Sequence, residues 1–276
     1  MSLIQGGVIV VDGVPRPVDP FGRRRVADVA GTAQAAIDAA QPGDTVYLQR
    51  GEYDEDIVIP STKSGINIVG VGARGTVRIT GLAPNGSGVT INGASDITLI
   101  NLNMSGRGTG SGLKITGNTR RIVVAGCRMA GGANGLLMDP ESAFQHVDTR
   151  FIDCIFASAT TGARLTGSGG ADPISQTVFK DCYFYYCAER GLYAPVFQTG
   201  LLVENCTFGV LENGDDPANF FIDVGETNTT GMVTACRFAS ESNTLVAGKL
   251  RVASTVRFIG NHTLAGLSVA QPVDDS

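Results

Sequence analysis

Eight times along the chain the same alternation of apolar and polar positions returns. The pattern runs apolar, any, apolar, any, turn-former, small or medium apolar, any, apolar. It reads INIVGVGA from Ile66, ITLINLNM from Ile97, IVVAGCRM from Ile122 and TRFIDCIF from Thr149. It continues as TVFKDCYF from Thr177, LLVENCTF from Leu201, GMVTACRF from Gly231 and, degraded, VRFIGNHT from Val256. The sixth position falls at residues 71, 102, 127, 154, 182, 206, 236 and 261, at spacings of 24 to 31 residues. A fixed period in this range is the signature of a stacked-repeat architecture.

Between the octapeptides lie second short apolar segments, usually introduced by glycine: GSGLKITG (110–117), GANGLLMD (132–139), TTGARLTG (160–167) and ERGLYAP (189–195). Alternating segments this short, bounded by turn residues, predict β-strands. No amphipathic helix separates them, which excludes βαβ units and a doubly wound sheet. The unit fits an all-β solenoid of about eight coils, each giving two or three short strands to parallel sheets stacked at ~4.8 Å.

The fifth position supports this independently. Gly70, Asn101, Gly126, Asp153, Asp181, Asn205 and Gly260 all tolerate a left-handed backbone, and Ala235 is the exception. A one-residue corner between two strands needs that conformation. The third, sixth and eighth positions should then face inward. In FIDCIF, Phe151, Cys154 and Phe156 are expected in the core, with Ile152 and Ile155 outside.

An open solenoid end must be covered. TAQAAIDAAQPGDTV predicts a capping helix over about 32–40, with Thr32 as N-cap, an Ala33, Ala36, Ile37 and Ala40 face, and a Pro-Gly stop. Residues 1–26 read as an arm or hairpin and 27–276 as the solenoid domain.

Composition narrows the function classes. The net charge of −5 gives no general affinity for nucleic acid, and Arg23-Arg24-Arg25 is too short to change that. No apolar run approaches the ~20 residues of a membrane span. The start, MSLIQGGVIVVDGVPRP, predicts no secretory signal. The six cysteines lack paired metal-ligand spacing, and Cys127, Cys154, Cys182, Cys206 and Cys236 share the sixth position. They are expected to stack inward as small apolar fillers.

AQAAIDAAQPGDTVYLQRGEYDEDIVI followed by these repeats resembles the pectate lyase-like right-handed parallel β-helix superfamily over roughly residues 27 to 270. That resemblance implies a single-stranded right-handed parallel β-helix, in a group that includes polysaccharide lyases, glycoside hydrolases, pectin methylesterases and viral tailspikes. Its esterase "DFIFG"-type element has no equivalent beyond FIDVG (221–225), and the polygalacturonase N-T-D, D-D, G-H-G series is represented only by Asp215-Asp216.

The remaining candidates have ordinary structural readings. GVGARG (70–75) matches a dinucleotide-loop spacing but leads into a strand, where no helix N-terminus could receive a pyrophosphate. His146 and His262 are expected at the surface or in loops. Asp153 and Asp181, in successive coils, have the spacing of a retaining glycosidase pair, yet they occupy the corner position. Asp139 with Glu141, and Asp215 with Asp216, are loop acids that read as solvated turns, with calcium binding or acid–base chemistry as the alternative. Arg164 and Arg190 could serve a lyase as bases. Tyr183, Tyr185 and Tyr193 could stack on sugars, since the chain has no tryptophan. No residue is assigned as catalytic, cofactor-binding or metal-ligating, and no cofactor is expected.

Two functions remain. The first is a non-enzymatic structural protein of a virus particle, expected to be a bacteriophage: a capsid decoration or tail component assembled in the host cytoplasm. Its partners would be other virion proteins and further copies of itself, with a glycan as an additional partner and neither nucleic acid nor membrane. The second is a polysaccharide lyase or hydrolase acting in a groove on one face.

Overall fold

The computed structural model describes residues 3–5, 8–11, 14–17, 25–27, 33–140, 145–167, 174–195, 198–209, 220–224, 229–239, 250–252, 255–263 and 268–269. Each octapeptide contributes a strand, a corner and, after the first copy, the start of a second strand. The eight first strands are Asn67–Gly70, Ile97–Ile100, Thr119–Ala125, His146–Ile152, Ile174–Lys180, Leu201–Glu204, Gly231–Thr234 and Val256–Ile259. They form one parallel sheet in which octapeptide positions match from coil to coil, as in Ile97↔Ile122↔Thr149↔Thr177 and Leu201↔Gly231↔Val256. A one-residue slip would turn every inward side chain to solvent, so the alternation itself sets this register.

A second sheet collects the strands after the corner, among them Asn103–Gly106, Arg128–Gly131 and the first halves of Ile155–Leu165 and Tyr183–Tyr193. A third run of parallel pairing collects the glycine-introduced segments Ser111–Thr116 and Asn134–Asp139, the second halves of the same two long strands, and Phe220–Val224. The result is an all-β parallel solenoid with, among the described residues, one short α-helix at its N-terminal end.

The core consists of columns. At the third position Phe151 and Phe179 stack with ring centroids 5.0 Å apart. At the eighth, Phe156, Phe184, Phe208 and Phe238 stack at 4.7, 4.6 and 5.2 Å. These distances follow the ~4.8 Å strand spacing, which parallel pairing forces on identical residues in register. Phe151, Cys154 and Phe156 are buried, while Ile152 and Ile155 are partly exposed, as their positions predict.

The corner differs from expectation at two places. Asn101, Gly126, Asp153, Asp181, Asn205, Ala235 and Gly260 all have φ between 51 and 64°. Ala235, the residue that did not fit, is therefore left-handed like the rest, whereas Gly70 is not. The first copy breaks here because its corner is expanded. Positive φ falls at Gly72 and Gly75 instead, Val71 is exposed, and Ile79 takes the inward place that Met104 holds in the next coil. GVGARG is thus this expanded corner, and it leads into the strand Val77–Thr80.

The glycines that introduce the third segments also have a packing reason. A Cβ on Gly112 would lie 2.8 Å from the Gly135 carbonyl oxygen, and one on Gly135 would lie 2.6 Å from that of Gly162. Gly162 and Gly191 approach the Gly191 and Phe221 carbonyls equally closely, at 2.6 Å. Their φ values are not positive. What is required is close backbone approach between coils.

The N-terminal end is closed by the helix Ala33–Ala39, which buries Ala33, Ala36 and Ile37. Its first amides are held from the solenoid: Ala33 N–H donates to Glu55 Oε1 at 2.9 Å and Gln34 N–H to Oε2 at 3.0 Å. The expected cap, Thr32, lies outside the described residues. Further upstream, Leu3–Gln5, Val8–Val11 and Val14–Pro17 pair antiparallel in a small sheet, and Arg25–Ala27 joins the first solenoid sheet beside Thr45–Leu48.

Candidate functional site

The sixth-position column is more than filler. Each thiol lies within hydrogen-bond reach of the third-position carbonyl of the preceding coil: Cys127 Sγ to Leu99 O at 3.7 Å, Cys154 to Val124 at 3.3 Å and Cys182 to Phe151 at 3.4 Å. Cys206 approaches Phe179 O at 3.4 Å and Cys236 approaches Val203 O at 3.6 Å. Asn261 completes the column, with Nδ2 donating to Val233 O at 3.0 Å and Oδ1 accepting from Cys236 N–H at 2.8 Å. Leu102 N–H donates to Cys127 Sγ at 3.4 Å in the same manner. From Cys127 onward the position thus takes a small side chain that can donate across the corner, and Cys127 and Asn261 also accept there. All six thiols are free and buried. Burial raises the thiol pKa of Cys127 to about 11 and of Cys187 to about 12, so neither is a nucleophile at neutral pH.

The carboxylates with glycosidase spacing have structural partners. Asp153 and Asp181 occupy successive corners. Asp153 is ion-paired with Arg74 at 3.2 Å, and the Arg74 guanidinium also donates to the Asp153 carbonyl. Arg74 belongs to the expanded first corner, three copies earlier, so this loop runs along the rod and straps the corners it crosses. The strap is held at its base by Asn101 Nδ2, which donates to the Gly70 and Gly72 carbonyls at 3.0 and 2.9 Å. Asp181 accepts from Asn205 Nδ2 at 2.6 Å. Asp139 accepts from Thr166 Oγ1 at 3.3 Å. Glu141, Asp215 and Asp216 lie outside the described residues, as do Arg23 and Arg24.

His146 corrects the sequence expectation. It is fully buried at the start of its strand, with Nδ1 2.7 Å from Thr119 Oγ1. Its Nε2 makes no hydrogen bond of normal geometry among the described residues, although the Ile115 backbone acts on the imidazole. Desolvation lowers its pKa to about 4. His262 is exposed, as expected. Among the described residues no three His, Cys, Asp or Glu side chains converge as metal ligands, and no helix is long and apolar enough to cross a membrane.

One charged cluster forms on the outside of the third run of strands. Arg190 Nε donates to Asp223 Oδ2 at 3.1 Å, and Nη1 pairs with Glu189 at 3.0 Å. The Arg190 guanidinium lies 4.5 Å from the Tyr193 ring centroid and that of Arg164 lies at 5.5 Å. Asp223 is only 1% exposed. Coil stacking creates the cluster, since Arg164, Tyr193 and Asp223 are direct neighbours in adjacent strands. The sequence shows Arg164, Arg190 and Tyr193 as separate candidates and Asp223 only within FIDVG. Their union needs the register.

The second group is aromatic. Tyr183 and Tyr185 stack at 5.4 Å on the outside of the second sheet, and Tyr186 meets Tyr185 edge-on at 4.3 Å. All three are exposed. Beside Tyr186 an open cavity of about 350 Å³ is lined by Gly132, Ser158, Ala159, Thr160 and Ala188. Tyr186 was not among the sequence candidates, because its place at a second corner is visible only after the strands are paired.

Parallel coils of this construction define a β-solenoid class whose chemistry lies on outward sheet faces and corners. Residues 55–208 match the family described as right handed beta helix region, and the chain belongs to it. That stretch holds about six turns, the octapeptide copies from Ile66 to Leu201. No curated protein sequence matches the chain. Among solved structures it is similar to a pectin methylesterase from Aspergillus niger, at 14% identity over 94% of each chain and a TM-score of 0.60. It is similar to an alginate lyase from Paenibacillus sp. str. FPU-7 at 15% identity over 87% of each chain, TM-score 0.61. It also resembles a tailspike protein of Acinetobacter baumannii bacteriophage Fri1, a capsular polysaccharide depolymerase. Identity there is 13% over 99% of this chain and 69% of the tailspike, with a TM-score of 0.51. At these identities the likeness is one of fold alone.

Proposed function

We propose that the protein is a structural component of a bacteriophage particle, a rigid β-helix in the capsid decoration or the tail, in contact with other virion proteins and with copies of itself. The observation that carries this reading is the use made of Asp153 and Asp181. The two carboxylates best spaced for glycoside chemistry form corners and are tied to Arg74 and Asn205. The fold is shared with a phage tailspike, which supports a virion setting by analogy only. Mass spectrometry of purified particles tests it: the expected result is this chain in fixed stoichiometry with the major virion proteins. Its absence from particles overturns the reading.

A second reading, action on a polysaccharide, is favoured by the Arg190–Asp223 pair beside Tyr193. The alginate lyase and the tailspike depolymerase share the fold and act on such polymers. Incubation with alginate, pectate or bacterial capsule would then release new reducing or unsaturated ends. Asp223→Asn would abolish that release while Asp153→Asn would not.

A further inference from the structure

We infer that Tyr183, Tyr185 and Tyr186, with the cavity beside them, form a binding site for an uncharged saccharide. The starting observation is a residue in the wrong conformation. Gly131, Ser158 and Tyr186 occupy one column at the second corner, since Ala130, Ala157 and Tyr185 are paired in register just before them. Their φ values are 65, 53 and 51°. Glycine meets this requirement freely, whereas a bulky side chain there is strained by about 1–2 kcal/mol. Tyrosine at 186 gains little from packing in return. The residue is 46% exposed and, among the described rings, its own touches only that of Tyr185. A strained residue that displays its ring to solvent points to a role outside the fold.

The surroundings specify the ligand. Tyr183 and Tyr185 extend the aromatic surface along the rod, and the next coil carries Gly209 beside them. A Cβ on Gly209 would lie 3.0 Å from the Tyr185 ring and 3.1 Å from the Tyr183 hydroxyl, so the glycine leaves room for both. Besides Tyr186, the cavity is lined by the hydroxyl-bearing residues Ser158 and Thr160 and the small residues Gly132, Ala159 and Ala188. None of the lining residues carries a charge, so an anionic sugar, a phosphate or a cation would find no counter-charge in the cavity. Hydroxyls that both donate and accept match a polyol, and phenol rings offer a flat apolar face to the C–H side of a sugar ring. At about 350 Å³ the cavity is within the range of small-molecule sites. The site lies on the second sheet and its corner and borders the Arg190 cluster, since the lining Ala188 precedes Glu189 and Thr161, next to the lining Thr160, pairs with Arg190; it stands whether or not the protein is found in particles.

Tyrosine emission provides the readout, because the chain has no tryptophan. The full chain is titrated with maltoheptaose, cellohexaose and an oligogalacturonate, and binding is measured in parallel by calorimetry. At least one neutral oligosaccharide is expected to bind, with the oligogalacturonate weaker. Tyr186→Gly should bind it about ten-fold more weakly, yet melt at a temperature no lower than the wild type, because the corner strain is relieved. Ser158→Gly, which leaves the rings in place, should weaken binding less. Equal affinity in wild type and Tyr186→Gly, preference for the charged oligomer, or no binding of either neutral probe overturns the site.

Discussion

At the first corner the backbone conformation is set by the coil, and the side chain has only to tolerate it. Asparagine, aspartate and glycine do so, while Ala235 adopts φ 54° without their advantages. Ala235→Gly is therefore expected to stabilise the protein by about 0.5–1 kcal/mol, read as a shift in urea midpoint at unchanged m. The sixth position carries a second residue-scale prediction. Cys154 lies 3.3 Å from the Val124 carbonyl, a contact serine can reproduce and valine cannot. Cys154→Val should cost about 1–3 kcal/mol, as expected for a buried polar group losing its partner. Cys154→Ser should cost less, although valine is the closer match in apolarity. The reverse order in denaturant unfolding would return the column to simple filling.

At the scale of the element, the glycine column sets how closely successive coils approach. A methyl group on Gly162 would meet the Gly191 carbonyl at 2.6 Å and the Cys187 sulfur at 2.9 Å. Backbone cannot yield as a flexible side chain can, so Gly162→Ala should destabilise by about 1–3 kcal/mol. A neutral effect in thermal melts would show that the strands can part without loss. The repeats made strands, corners and inward columns legible at this scale, because one alternation recurs in register eight times. The expanded first corner was not legible. INIVGVGA satisfies the pattern, but the residues after Gly70 are drawn into the strap that ends at Asp153. A contact 79 residues away leaves no trace in local spacing.

For the whole molecule, pH acts through the buried His146. In the unfolded chain the imidazole takes up its proton near pH 6.5, and in the folded chain only near 4. The unfolded state therefore binds more protons between these values. Stability is unaffected by this group above about pH 6.5, falls as pH drops toward 4, and levels off below. The loss is on the order of 3 kcal/mol, taken from the 6.5-to-4 difference. Chemical denaturation at pH 7.5 and 4.5 should show it, and His146→Gln should shrink the difference between the two. An unchanged difference in the variant would assign the acid sensitivity to carboxylates instead.

The sequence by itself determined the solenoid, its corners after the first, its inward columns and the N-terminal helix. All of these are local patterns repeated at the coil period, and periodicity survives without knowledge of contacts. Tertiary structure alone decided what the outside of the rod can do. Parallel stacking brings residues about 24 to 33 positions apart into direct contact, as with Arg190 and Asp223 or Cys236 and Val203. Which side chains become neighbours depends on the exact length of each intervening loop. That length varies from coil to coil, so Asp223 and Arg190, or Tyr186 and Ser158, meet only once the register is built.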